Sequence, residues 1–175
     1  MYNQSLRADD WIEEMMERYA DMVYRLAYAQ VRNRQDADDI FQEVFIRLVK
    51  REDGFESREH EKAWLIRVTI NCARNMWLSA WRRMTVFLAD EDWNKVEYAE
   101  PNREADGKSE WLEEAMRSLP MKHRRVIHLF YYEEMSVEEI ARATGDKPST
   151  IRAQLTRARQ TLKKKLSGRE GKRHV

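Results

Sequence analysis

The sequence predicts an all-α chain of two small helical domains joined by an acidic linker, and three observations predict it. Apolar residues recur at 3.6-residue spacing through most of the chain. Its 175 residues include five glycines and three prolines, few enough to leave long helices uninterrupted. Charge is distributed unevenly although the formal net is +1. Residues 1–84 carry 14 basic and 15 acidic groups, 85–108 carry 3 and 7, 109–147 carry 6 and 8, and 148–175 carry 9 and 1. The acidic, aperiodic stretch 85–108, with Pro101 and Gly107, is therefore a linker between one domain over 1–84 and another over 109–175. The +8 of the C-terminal stretch points to a polyanionic partner.

In the first domain, Trp11, Ile12, Met15, Met16, Tyr19, Met22, Val23 and Leu26 form an apolar stripe on a first helix that ends near Arg32-Asn33-Arg34. A second helix spans about Asp36 to Lys50, with acids in the first turn, where the helix dipole favours them. Ala37, Ile40, Phe41, Val44 and Leu48 face inward. Asp39, Gln42, Glu43 and Ile46 lie opposite, and an isoleucine exposed among acids and amides suggests a docking surface. The cluster Asp36, Asp38, Asp39 and Glu43 makes a poor metal site, because consecutive helical positions diverge and no histidine lies at i+4.

Lys50 to Lys62 lacks an apolar period and predicts a loop with one aromatic, Phe55. A long helix follows from about Ala63 to Arg83. Its inner stripe is Leu65, Val68, Cys72 and Met76. Arg67, Asn71, Arg74, Asn75 and Arg82 share another side, and Trp77 and Trp81 a third. Cations and amides beside aromatics and a loop suit single-stranded nucleic acid, with phosphate contacts and unstacked bases. A core helix with packed tryptophans and solvated arginines fits these residues equally well.

In the second domain, Trp111, Leu112, Ala115, Met116 and Leu119 restore a helical stripe that Pro120 ends. Val126, Ile127, Phe130 and Tyr131 continue into a helix-turn-helix. Ser136-x-x-Glu139 is a capping box, flanked by Met135 and Ile140 at staple spacing. Gly145 suits the left-handed turn that closes a helix. Asp146 is the expected N-cap of the last helix, with Pro148 in its first turn. Ile151, Leu155, Ala158 and Leu162 face the core of that helix. Ala153, Thr156, Arg157 and Gln160 face outward between Arg152, Arg159 and Lys163, an arrangement that suits a DNA major groove and its phosphates. His123 and His128 share no helix face and are expected at the surface or boundary rather than as ligands.

The single cysteine, Cys72, excludes an intramolecular disulfide and fits a reducing compartment. No apolar run approaches a membrane span and Met1 to Asp10 shows no signal-peptide pattern, so a cytoplasmic protein without membrane insertion is expected.

Taken in order, these motifs resemble the extracytoplasmic-function, or group IV, RNA polymerase sigma factors. DADDIFQEVFIRL at 36–48 is similar to the family's polymerase-binding helix, usually written DAEDLVQEVFLRL. WLIRVTINCARN at 64–75 resembles its WLYRIARN segment, which reads the promoter −10 element. Leu119-Pro120 with Arg124 and Val126, then 136–141 and 150–159, resemble its −35-binding domain. The resemblance implies two domains, sigma region 2-like and region 4-like. Its expected partners are core polymerase through the β′ coiled coil and the β flap, promoter DNA and an anti-sigma factor. It implies no cofactor, metal or catalytic activity.

Residue by residue, it implies that Asp39, Gln42, Glu43 and Ile46 dock on the β′ coiled coil. Phe55, Ser57, Arg58 and His60 of the loop, with Arg67, Asn71, Arg74 and Asn75, would capture −10 bases. Arg152, Ala153, Thr156 and Arg157 would face −35 base edges, and Thr150, Arg159 and Lys163 would hold phosphates. The chain departs from the family pattern at Ala153, Gln154 and Asp146-Lys147-Pro148, and Glu134 replaces a frequent turn glycine. A stand-alone helix-turn-helix regulator would explain 136–166 but leaves the Ile46 face and the Asn71/Arg74 side without a task. A metal-dependent nucleic-acid enzyme would need Asp36, Asp38, Asp39 and Glu43 to act, with no phosphate-cradling loop or nucleophile–base pair to support it.

Overall fold

The computed structural model describes the backbone of residues 2–87 and 107–170, and the side chains of 10–80 and 111–167. Seven helices occupy the described residues: α1 Tyr2–Val31, α2 Arg34–Val49, α3 Arg58–Phe87, α4 Gly107–Arg117, α5 Met121–Tyr131, α6 Val137–Thr144 and α7 Pro148–Glu170. They fall into two compact units, Met1–Glu100 and Pro101–Val175. Most of the expected 85–108 linker, the side chains of Trp81 and Arg82, and the end of the basic tail lie outside the described residues.

The first unit is a three-helix bundle in which each helix packs on the other two. Arg32 takes a left-handed φ of 56° after α1, and the Asn33 side chain accepts the Asp36 N–H at 3.1 Å. Asn33 is thus the cap, while Asp36 sits one turn inside, its carboxyl raised by burial and by Asp39. Val23, Leu26, Ile40, Val44, Leu48, Leu65 and Ile66 close the core.

Several expected faces are rotated. Phe45 is buried while Phe41 is half-buried, its ring edge-on to Tyr24. On α3 the buried positions are Leu65, Ile66, Thr69, Ile70, Cys72 and Ala73, whereas Val68 and Met76 are half-buried. A helix wedged against two neighbours buries a wider arc than a single stripe describes. Met16, expected inside, is exposed.

Helix α3 also starts five residues before the expected Ala63. Ser57 Oγ accepts the His60 N–H at 3.1 Å, so Ser57 caps it. Glu59 and Glu61 occupy the first turn, and Glu61 accepts from Tyr19 Oη at 3.0 Å and Arg18 at 3.1 Å. Polar ties hold this turn to α1, which is why no apolar period marks it.

In the second unit α7 packs against α4, α5 and α6. Arg124 donates to the Leu119 carbonyl at 2.7 Å and the Arg117 carbonyl at 3.2 Å, satisfying the end of α4 beside Pro120. Leu129 is buried on α5, while Phe130 is half-buried and Tyr131 exposed. Trp111 and Leu112 of α4 are also exposed rather than in the core. Both histidines prove buried. His128 stacks on Tyr132 with ring centroids 5.2 Å apart, and its Nε2 lies 3.5 Å from Glu133. His123 is shielded from water, and desolvation, with Lys122 and Arg157 adding to it, lowers its pKa.

Candidate nucleic-acid interface

The helix-turn-helix forms from its own local signals. Ser136 Oγ accepts the Glu139 N–H at 3.2 Å, and the Glu139 carboxylate accepts the Ser136 N–H at 2.7 Å. The capping box is therefore complete, with Met135 and Ile140 buried beside it. Gly145 closes α6 at φ 78°, where a side chain would be strained. Glu134 adopts φ 53°, the same left-handed region that a turn glycine would occupy without strain. Asp146 does not cap α7. Its carboxylate pairs with Arg125 at 3.1 Å, tying the turn to α5, and the Lys147 carbonyl accepts the first α7 bond, from Ile151. Pro148 is thereby the first helical residue.

On α7, Ile151, Leu155 and Ala158 are buried and Leu162 is half-buried. Thr150, Arg152, Ala153, Thr156, Arg157, Arg159, Gln160 and Lys163 are all exposed. Arg152 is braced by Glu138 of α6 at 2.6 Å. Arg159 donates from Nε to Tyr131 Oη at 2.8 Å, with its guanidinium over the Phe130 and Tyr131 rings at 5.2 and 5.5 Å. Helical spacing puts Ala153, Thr156, Arg157 and Gln160 together, with Arg152, Arg159 and Lys163 along one edge. Gln154 leaves this surface altogether. It is 8% exposed, so its departure from the family pattern changes the packing under the helix rather than its outer face.

In the first unit, Arg67, Arg74 and Asn75 are exposed and Asn71 is half-buried, all on one side of α3. His60 and Trp64 precede them on that side at i, i+4, i+7 and i+11 spacing. The loop after α2 packs on this N-terminal end. Phe55 meets His60 edge-on at 5.3 Å, Trp64 at 5.6 Å and Trp11 at 6.3 Å. The half-buried Phe55 ring is thus engaged by the protein's own side chains, Ser57 is a helix cap, and Arg58 contributes a carbonyl to the Tyr19 hydroxyl at 3.2 Å. Trp77 is exposed on another side of α3.

On α2, Asp39 and Gln42 are exposed, Glu43 pairs with Arg47 at 2.6 Å, and Ile46 is 46% exposed. Val49, not singled out from the sequence, is 61% exposed one turn beyond Ile46. Its i+3 spacing from Ile46 was the available signal. Among the described residues no group of three His, Cys, Asp or Glu side chains is placed to hold a metal ion, and no helix is long and apolar enough to cross a membrane. The second unit also has an apolar groove of about 620 Å³ between α4, α5 and α7, with Leu112, Met116, Ile127 and Leu162 in its wall and Arg159 and Lys163 at its rim.

Comparison with known proteins bears on both units. The sigma-70 region 2 family matches residues 15–83, and the sigma-70 region 4 family matches residues 109–162. The chain is 34% identical over 164 residues to the ECF RNA polymerase sigma factor SigE of Mycolicibacterium smegmatis, covering 89% of this chain and 61% of that protein. It is 30% identical over 158 residues to the RNA polymerase sigma-E factor of Streptomyces antibioticus, covering 90% of this chain and 86% of that one. Among solved structures, the sigma factor RpoE in complex with the anti-sigma factor NepR from Bartonella quintana shares the fold at TM-score 0.68 and 22% identity, over 89% of this chain and 96% of that one. CnrH in complex with the cytosolic domain of CnrY does so at 0.61 and 21%, over 90% and 88%. With both sigma-70 regions present in order, and a relative of this identity matched over most of its length, the chain belongs to the extracytoplasmic-function RNA polymerase sigma factors, which direct transcription initiation.

Proposed function

We infer that this chain is a group IV sigma factor that recognises promoters in two parts, without catalytic activity of its own, in the cytoplasm. Residues 109–175 read duplex −35 DNA. Ala153, Thr156, Arg157 and Arg152 face base edges, while Thr150, Arg159 and Lys163 hold phosphates. Residues 1–84 capture melted −10 bases with Asn71, Arg74 and Asn75, supported by Arg67 and the loop around Phe55, Ser57, Arg58 and His60. Asp39, Gln42, Glu43 and Ile46, extended by Val49, dock on the β′ coiled coil of core polymerase. The apolar groove of the second unit suits a helix of the β flap. The acidic linker, 85–108, joins the two readers.

The observation that carries this reading is the pairing, in one chain, of a basic recognition helix with a separate cation-and-amide side on α3. Each offers a small interface, so both must act together, held by polymerase. The apolar Ile46/Val49 surface also suits an anti-sigma factor, the kind of partner with which RpoE was solved. Run-off transcription with bacterial core polymerase on fragmented host DNA tests the reading. New start sites sharing −35 and −10 sequences at fixed spacing are expected. No new starts, with the chain alone shifting DNA, would replace it with a stand-alone regulator.

A further inference from the structure

One side chain organises the loop between α2 and α3. Arg51 Nε donates to the Asp53 carbonyl at 2.8 Å, and its terminal nitrogen reaches the Gly54 carbonyl at 3.4 Å. The guanidinium also lies 4.5 Å from the Phe55 ring centroid and 5.3 Å from that of Trp64. Backbone bonds anchor the ends of the loop, Arg51 N–H to Leu48 and Glu61 N–H to Ser57. Between those anchors Arg51 fastens two successive carbonyls and clamps the ring that follows them.

The Phe55 ring then seats the loop against His60 and Trp64. These two residues begin the stripe that continues as Arg67, Asn71 and Arg74, so the loop covers the first half of the stripe and leaves the second half open.

We propose that Arg51 is a positioning residue for −10 base capture: it sets the shape of residues 52–57 before DNA arrives, so that one wall of the base site is already built. The proposal rests on the reading that this loop and the Asn71/Arg74 side hold the −10 element. Arg51 itself touches no DNA. Arginine suits the task because its planar head stacks on an aromatic face while its edge donates to carbonyls. Lysine offers a point charge with neither the plane nor the fork. Ordering even one loop residue on binding, rather than beforehand, weakens the capture of a base by about tenfold.

The test uses holoenzyme assembled from core polymerase and the full chain, challenged with single-stranded DNA randomised across the −10 positions. The library also carries an abasic site at the captured position, and the readout is the enrichment of the preferred base over that abasic site, whose binding leaves the loop unordered, a ratio independent of how much active holoenzyme each variant forms. Arg51→Ala is expected to reduce that ratio by about tenfold, with Arg51→Lys close to it. Asn71→Ala is expected to abolish the preference. If Arg51→Ala keeps the wild-type ratio while Asn71→Ala loses it, the positioning role is wrong and the −10 reading stands. If Asn71→Ala also keeps the ratio, the −10 reading fails and the proposal fails with it.

Discussion

Truncating Ile46 and Val49 to alanine removes apolar surface that the free chain leaves in water, so its cost should fall on polymerase docking and spare folding. Full burial of an isoleucine or valine side chain is worth about 1.5–3 kcal/mol. Ile46 is 46% exposed and Val49 61% exposed, so about half of that remains to be gained at an interface. Each side chain thus contributes about 1 kcal/mol to docking, and the double variant about 2 kcal/mol, or roughly 30-fold in Kd. The assay is competition of unlabelled variants against a fluorescent wild-type chain for core polymerase, with thermal melts run alongside. Ile40→Ala is the contrasting variant. Ile40 is 1% exposed, and its truncation should cost about 2–5 kcal/mol of stability. A double variant that melts like wild type and competes within threefold of it would refute the docking face.

Four further outcomes follow from backbone geometry and burial. Gly145→Ala meets no crowding, so its cost is the left-handed φ alone, about 1 kcal/mol in a melt of the second unit, whereas Glu134→Gly relieves such a φ and should stabilise by about 0.5 kcal/mol. His123 is buried and its pKa is lowered, so the unfolded chain takes up its proton first and stability should fall as pH drops below about 6.5; denaturant titrations should show that slope flattened in His123→Leu. Burial raises the Cys72 thiol, so iodoacetamide should leave the native chain unmodified at neutral pH and alkylate it in urea, as mass spectrometry would show.

Local chemistry made much of this protein legible in its sequence. A capping box needs residues three apart and a left-handed turn needs glycine, so Ser136, Glu139 and Gly145 located the helix-turn-helix without any distant partner. The outward set on α7 followed from helical spacing, because Ile151, Leu155 and Ala158 leave one direction for the core. The order of the motifs carried the family.

Tertiary structure decided what depends on a second element. Periodicity says which residues share a face, and only the neighbouring helices determine how wide an arc they cover. That is why Phe45 is inside, Val49 and Trp111 are outside, and Gln154 is packed beneath α7. Polar partners far apart in sequence are equally invisible beforehand. Asp146 turned from an expected cap into the partner of Arg125, and Arg51 turned from an ordinary loop charge into the clamp on Phe55. Backbone capping is set within a few residues of chain, whereas burial and side-chain pairing are set by whichever surfaces folding brings together.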